Sequence, residues 1–142
     1  MAKFELNKAP LFSIFFKDMQ ISVNRESRTN GHKAFIRAGE ELDKGHSIFI
    51  FPEGTISSNG KLIPFKNGPF KLAVEKQVSI LPITFINNWK LLQNGGFFKS
   101  YGRPGISTIV IHKPIQTTGL KEENIVDLRS QVFALIDSTL KK

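Results

Sequence analysis

The sequence predicts an α/β fold: a single layered domain over residues 1–142, with a mostly parallel or mixed central sheet flanked by helices. Two patterns predict it. Runs such as Ser47-Ile-Phe-Ile-Phe51 are apolar without alternation, as strands buried on both faces are. Between such runs lie stretches whose apolar residues recur every three to four positions, the period of a helix with one buried face.

Each element follows in chain order. Residues 9–19 fit a short helix with Leu11, Phe12, Phe15 and Phe16 on one face, and residues 21–23 a brief strand. Residues 30–44 read as a helix that turns Phe35, Ala38 and Leu42 inward, with Gly45 placed as its C-cap. The 47–51 strand comes next. Residues 52–65 carry Gly54, Ser57, Ser58, Asn59, Gly60 and Pro64, the composition of a long loop. Pro69 suits the first turn of a helix running to about Lys76. Residues 79–86 are a second apolar strand despite Pro82, residues 87–105 a polar loop and residues 106–112 a third strand. Over 120–140, Ile125, Leu128, Val132, Leu135 and Ile136 keep helical spacing, and Glu122 and Glu123 sit near the start, where they favour the helix dipole.

Composition narrows the chemistry. The 142 residues are 40% hydrophobic and 23% charged, enough to bury a core and unlike a disordered chain. No cysteine is present, which excludes disulfides, zinc thiolate sites, iron–sulfur clusters and a thiolate nucleophile. The 20 Lys+Arg against 12 Asp+Glu leave a formal charge of +8, attractive to anionic lipid and to nucleic acid alike. No run approaches the roughly 18–20 apolar residues of a spanning helix, and the first residues lack the apolar core of a signal peptide.

The strongest local signal is Phe51-Pro52-Glu53-Gly54-Thr55, directly after an apolar run. In α/β sheets, ligands bind just past the carboxyl ends of strands. Pro52 stiffens the exit, Gly54 lets the backbone approach a ligand and Thr55 offers a hydroxyl. Glu53 is either a ligand-facing carboxylate that needs a partner or the polar end of an ordinary turn. Upstream, Ile21-Ser-Val-Asn-Arg25-Glu-Ser-Arg28 places two arginines after a short apolar run. Downstream lie Phe65-Lys66-Asn67-Gly68-Pro69 and Leu81-Pro82-Ile83.

In this order and spacing, these segments resemble the glycerolipid acyltransferase family, and most closely the 1-acyl-sn-glycerol-3-phosphate acyltransferases. Phe-Pro-Glu-Gly-Thr corresponds to the third signature motif, Arg25 to the arginine of the second, and Leu81-Pro82-Ile83 to the proline-centred fourth. The resemblance spans residues 21–83. It implies acyl transfer from an acyl thioester, on coenzyme A or acyl carrier protein, to the 2-hydroxyl of lysophosphatidic acid, giving phosphatidic acid. Arg25 would bind the phosphate, Glu53 would accept from a glycerol hydroxyl or hold Arg25 and the loop in place, Gly54 and Thr55 would shape the pocket floor, and Lys66 would be a secondary phosphate ligand. No metal or redox cofactor is implied. The expected setting is peripheral, on the cytoplasmic face of a membrane, with no nucleic-acid partner.

Two departures stand out. The family usually has arginine after Glu-Gly-Thr, and Ile56 stands there. The first motif, His-x-x-x-x-Asp, supplies the family's catalytic base. Five residues after His32, His46 and His112 come Arg37, Phe51 and Thr117, so no catalytic residue is assigned. The motif belongs several dozen residues before Arg25, and the expectation is an acyltransferase domain over 1–142 that is incomplete at its N-terminus. The histidines are expected at surface or turn positions. The alternative is a non-catalytic lipid-phosphate or membrane-surface binding domain of the same fold, and a weaker third is a basic nucleic-acid binder. Phe12, Phe15 and Phe16 face either a core or a membrane. Trp89, Phe97, Phe98 and Tyr101, with Lys90, Lys99 and Arg103, fit either a capped core edge or an interfacial segment.

Overall fold

A computed structural model describes residues 2–3, 22–23, 28–55, 57, 61–93 and 101–141. They form two compact units, Met1–Phe51 and Pro52–Lys142.

In the first unit, β1 (Ala2–Lys3) pairs in parallel with β2 (Ser22–Val23). Helix α1 (Arg28–Asp43) is in contact with β2 and buries Ala34 and Ala38, one turn apart. Its end is fixed by two backbone bonds, Gly45 N–H to the Leu42 carbonyl at 2.9 Å and His46 N–H to that of Glu41 at 3.0 Å. That is the Schellman arrangement, and it requires the left-handed φ of +83° that Gly45 adopts. The helix predicted for 9–19 lies outside the described residues.

The 47–51 expectation is corrected. This segment forms no ladder with the described residues, and Phe49 and Phe51 are 50% and 58% exposed. Their rings meet edge to face, with centroids 5.1 Å apart. An apolar run fixes a preference for leaving water, whereas a strand also needs a neighbouring chain to satisfy its backbone.

The second unit is built on two packed helices, α2 (Gly68–Glu75) and α4 (Ile125–Leu140). Pro69 lies in the first turn of α2, where a missing N–H costs nothing. Helix α4 buries Ile125, Leu128, Val132 and Ile136, spaced by three and four residues as the sequence predicts. With Phe65, Phe70 and Val74 they form the core. A 3-10 turn (Glu122–Asn124) leads into α4 and puts Glu122 and Glu123 at its positive end.

Between the helices, β3 (Ile83–Phe85) pairs antiparallel with β6 (Ile109–Ile111), with Thr84 opposite Val110. A bridge from Ile80 to Ile115 extends the pairing. The region 87–105, expected as a loop, contains a short helix α3 (Asn88–Leu91) and an antiparallel pair, β4 (Leu92–Gln93) with β5 (Tyr101–Gly102). Among the described residues the sheet structure is therefore three two-stranded pairs, one parallel and two antiparallel.

Polar side chains lock this unit, buried Thr117 and exposed Gln77 among them. The Thr117 hydroxyl lies 2.9 Å from the Val78 carbonyl and 3.2 Å from that of Ala73, and its one proton serves one of them at a time. Gln77 takes a φ of +52° at the end of α2, unusual for a side-chain-bearing residue. Its carboxamide stabilises the position by bonding the Val74 and Leu120 carbonyls and the Gly119 N–H.

Candidate functional site

The Phe-Pro-Glu-Gly-Thr segment opens the loop that runs from Pro52 to α2. Two hydrogen bonds close this loop across its neck. Lys66 N–H donates to the Pro52 carbonyl at 2.8 Å, and Ile63 N–H donates to Glu53 Oε2 at 2.9 Å. Glu53 is half-buried, so its carboxylate spends one oxygen on holding the far arm of its own loop. A charged acceptor makes such a bond stronger than a neutral one.

Phe65 anchors the returning arm. Its buried ring stacks on Phe70 at 6.2 Å and meets Phe133 edge to face at 5.1 Å. The adjacent Lys66 side chain is exposed. A Cβ added to Gly54 would lie 3.6 Å from Lys66 Cγ and 3.8 Å from its Cε, so the lysine stem runs past the glycine. Gly54 itself has a φ of +71°, the left-handed region where glycine carries no steric cost. The structure thus brings Glu53, Gly54 and Lys66 into one turn. Thr55 is exposed at its edge.

Arg25 lies outside the described residues, as does the arginine-replacing Ile56. Pro82 of the fourth motif is buried at the entrance to β3, and its carbonyl accepts His112 N–H at 3.0 Å.

Two contributors escaped the sequence reading. Arg129 of α4 donates to the Asn67 carboxamide oxygen at 2.7 Å and so holds the exit of the loop, from 62 positions away. The Ile63 backbone donor has no side-chain signature to read. Nothing local in the sequence announces either.

Two of the three histidines have structural partners. His46 Nδ1 lies 2.7 Å from Glu41 Oε2, in the turn that ends α1. Beside it, the Lys44 ammonium and then the His46 imidazole hold the Glu41 carboxyl at about 2, from an ordinary 4.5. His112 Nε2 lies 2.8 Å from the hydroxyl of buried Thr84, and His32 is exposed on α1. Among the described residues, no group of three or more His, Asp and Glu side chains could hold a metal ion. No helix among them is long and apolar enough to cross a membrane.

Residues 1–86 match the family model described as Acyltransferase. The chain is 32% identical over 144 aligned positions to the 1-acyl-sn-glycerol-3-phosphate acyltransferase of Borreliella burgdorferi, which covers 97% of this chain and 56% of that protein. It is 40% identical over 79 residues to the chloroplastic 1-acyl-sn-glycerol-3-phosphate acyltransferase BAT2 of Brassica napus, covering 56% and 22%. The fold is similar to the crystal structure of the 1-acyl-sn-glycerophosphate (LPA) acyltransferase PlsC from Thermotoga maritima. There the TM-score is 0.76 at 28% identity, over 99% of this chain and 54% of that one. The chain therefore spans about half the length of the bacterial relatives and less of the plant one.

Proposed function

The chain belongs to the acyltransferase family, and from that premise we propose that it forms part of a 1-acyl-sn-glycerol-3-phosphate acyltransferase. The acceptor hydroxyl of lysophosphatidic acid attacks the carbonyl carbon of an acyl thioester on coenzyme A or acyl carrier protein. The hydroxyl proton passes to a base, the C–S bond breaks and the thiol leaves. The acyl donor is a substrate, and no cofactor takes part. The protein works peripherally on the cytoplasmic face of a membrane, in phospholipid biosynthesis, and its full fold is a layered α/β domain with a mixed central sheet.

The observation that carries this proposal is the closed turn itself. Phe-Pro-Glu-Gly-Thr is folded so that Glu53 braces the loop through Ile63 and the Lys66 stem lies along Gly54. Glu53 is then first a positioning residue, with its second oxygen directed to a glycerol hydroxyl. By its place in the motif Arg25 is the first ligand for the acceptor's phosphate, since a guanidinium's paired donors match phosphate geometry, and Lys66 is a secondary one. Gly54 and Thr55 form the floor.

The 142 residues hold no His-x-x-x-x-Asp. A positioned general base contributes about 10²–10⁴-fold, so this chain by itself should transfer acyl groups very slowly. The test is thiol release from an acyl thioester with and without lysophosphatidate. The expected result is almost none from this chain, and acceptor-dependent release from a longer chain bearing the histidine motif. In that chain, Arg25→Ala should weaken acceptor binding by roughly 2–5 kcal/mol if the charge pair is desolvated. Robust acceptor-dependent release by the 142 residues themselves would overturn the assignment of the base. The alternative, a non-catalytic lipid-phosphate or membrane-surface binding domain of the same fold, predicts binding without turnover in the longer chain as well.

A further inference from the structure

The module α3–β4–β5 carries a surface that the acyl-transfer site does not use. In this module and just after it, Trp89, Leu92, Tyr101 and Ile106 are exposed, while Leu91 is half-buried. Ile106 at 86% and Leu92 at 74% are the most exposed large apolar side chains among the described residues. Scattered exposure of one such residue is ordinary, but four within the span 89–106 are not.

The exposure is enforced by hydrogen bonds rather than left by loose packing. The Asn87 carboxamide bonds the Ile106 carbonyl and the Thr108 N–H, both at 2.8 Å. Ser107 donates to the Asn88 carboxamide oxygen, and Arg103 N–H donates to the Leu91 carbonyl at 2.8 Å. These bonds tie α3 and the β4–β5 pair to the approach of β6. In the β4–β5 register Leu92 is opposite Gly102 and Gln93 opposite Tyr101. Neighbouring residues on a strand point to opposite faces, so each face of the pair carries one exposed apolar side chain, Leu92 beside Gly102 on one and Tyr101 beside Gln93 on the other.

Charge selects the medium. Residues 76–121 contain no Asp or Glu, while Lys76, Lys90, Lys99, Arg103, Lys113 and Lys121 lie among them. All 12 acidic residues of the chain fall outside this stretch. The Lys90 ammonium lies 5.5 Å from the centre of the Trp89 ring, a cation–π contact. Trp89 and Tyr101 are the chain's single Trp and single Tyr. These two residue types concentrate at the headgroup level of bilayers, where one end of the ring is apolar and the other wet.

We infer that this module is a docking element that enters the headgroup layer of an anionic bilayer, with Trp89, Leu92, Tyr101 and Ile106 inserted and Lys90 and Arg103 against lipid phosphates. The insertion depth is that of other interfacial elements, about 5–10 Å. The inference rests on the proposed function only in that a lipid substrate gives such an element its use. Its test needs neither substrate turnover nor an acyl donor, so its failure and that of the acyltransferase assignment are separate results.

Because Trp89 is the only tryptophan, its fluorescence reports on this module alone. The 142-residue chain is titrated with phosphatidylcholine vesicles with and without phosphatidate, some brominated near the headgroup end of the acyl chains. The expected result is a blue shift and bromine quenching of Trp89 on the anionic vesicles. Lys90→Gln with Arg103→Gln should lower partitioning roughly 30-fold, from about 1 kcal/mol for each basic residue at the surface. Lys33→Gln with Arg37→Gln, on α1, should lower it much less. Vesicle binding with Trp89 neither shifted nor quenched would overturn the inference. So would equal losses from the two double variants, absence of vesicle binding, or tighter binding of a single-stranded oligonucleotide with the same Trp89 shift.

Discussion

The segment 52–67, an irregular connection, and the segment 87–108, which holds α3, β4 and β5, both carry glycine, proline or asparagine turn residues. The first is fastened to the core of its unit, with Phe65 buried among Phe70 and Phe133 and its neck closed by Glu53 and Pro52. The second is fastened along its backbone and by asparagine and serine side chains, and its Trp89, Leu92, Tyr101 and Ile106 stay exposed. A connection that must hold a carboxylate and a lysine in fixed relation needs an apolar anchor. A connection that must offer apolar side chains to an outside phase has to be rigid without one.

The largest test of this contrast is a pair of aromatic truncations. Phe65→Ala should cost about 3–5 kcal/mol in urea unfolding, because it empties a packed site and releases the loop. Trp89→Ala should cost far less, about 0.5 kcal/mol, since the residue is 43% exposed and lies outside the core. Comparable losses would mean that the two segments are not differently anchored.

Next in size is Glu53→Ala, expected to cost about 1–3 kcal/mol by leaving the Ile63 N–H without its acceptor. Glu53→Gln keeps an acceptor oxygen and should recover much of that stability. In a longer chain bearing the histidine motif, activity lost in the Gln variant despite recovered stability would separate the carboxylate's charge from its bracing role.

Gly54→Ala should cost about 1–2 kcal/mol, through the left-handed φ rather than through a clash. Gly68→Ala, in the first turn of α2 with open space around it, should be neutral or stabilising by about 0.4–1 kcal/mol. Thermal unfolding of the two variants checks the opposite signs.

The smallest effect concerns pH and lies outside both segments. The Glu41 carboxyl is held below its ordinary 4.5, at about 2, by Lys44 and then His46. A depressed carboxyl stabilises the fold above about pH 4.5 and loses that contribution as pH falls toward 2. Glu41 is open to solvent, so little stability is at stake at neutral pH. NMR titration should show its midpoint rising in Lys44→Ala, and an unmoved midpoint would assign the shift elsewhere.

The candidate site was legible where chemistry is local. Pro52, Glu53, Gly54 and Thr55 announce a sharp turn by residue type, and Gly54 takes the positive φ that a glycine there invites. Lys66 was legible as a nearby cation, but its passage along Gly54 was not. Arg129 on Asn67 and Ile63 on Glu53 were invisible, because one joins residues 62 apart and the other uses a backbone group every residue possesses.

By itself the sequence determined the helices and their buried faces, since the recurrence of Ile125, Leu128, Val132 and Ile136 every three to four positions is a property of one segment alone. It also determined the caps at Gly45 and Pro69, which depend on single-residue backbone limits. Only the tertiary structure decided which apolar runs became strands. The 79–86 run supplies β3 because 109–111 lies alongside it in register, with the Ile80–Ile115 bridge beyond. The equally apolar 47–51 run has no such neighbour among the described residues and stays irregular. A helix satisfies its backbone within its own turns, whereas a strand borrows its hydrogen bonds from a distant segment whose position no local pattern encodes.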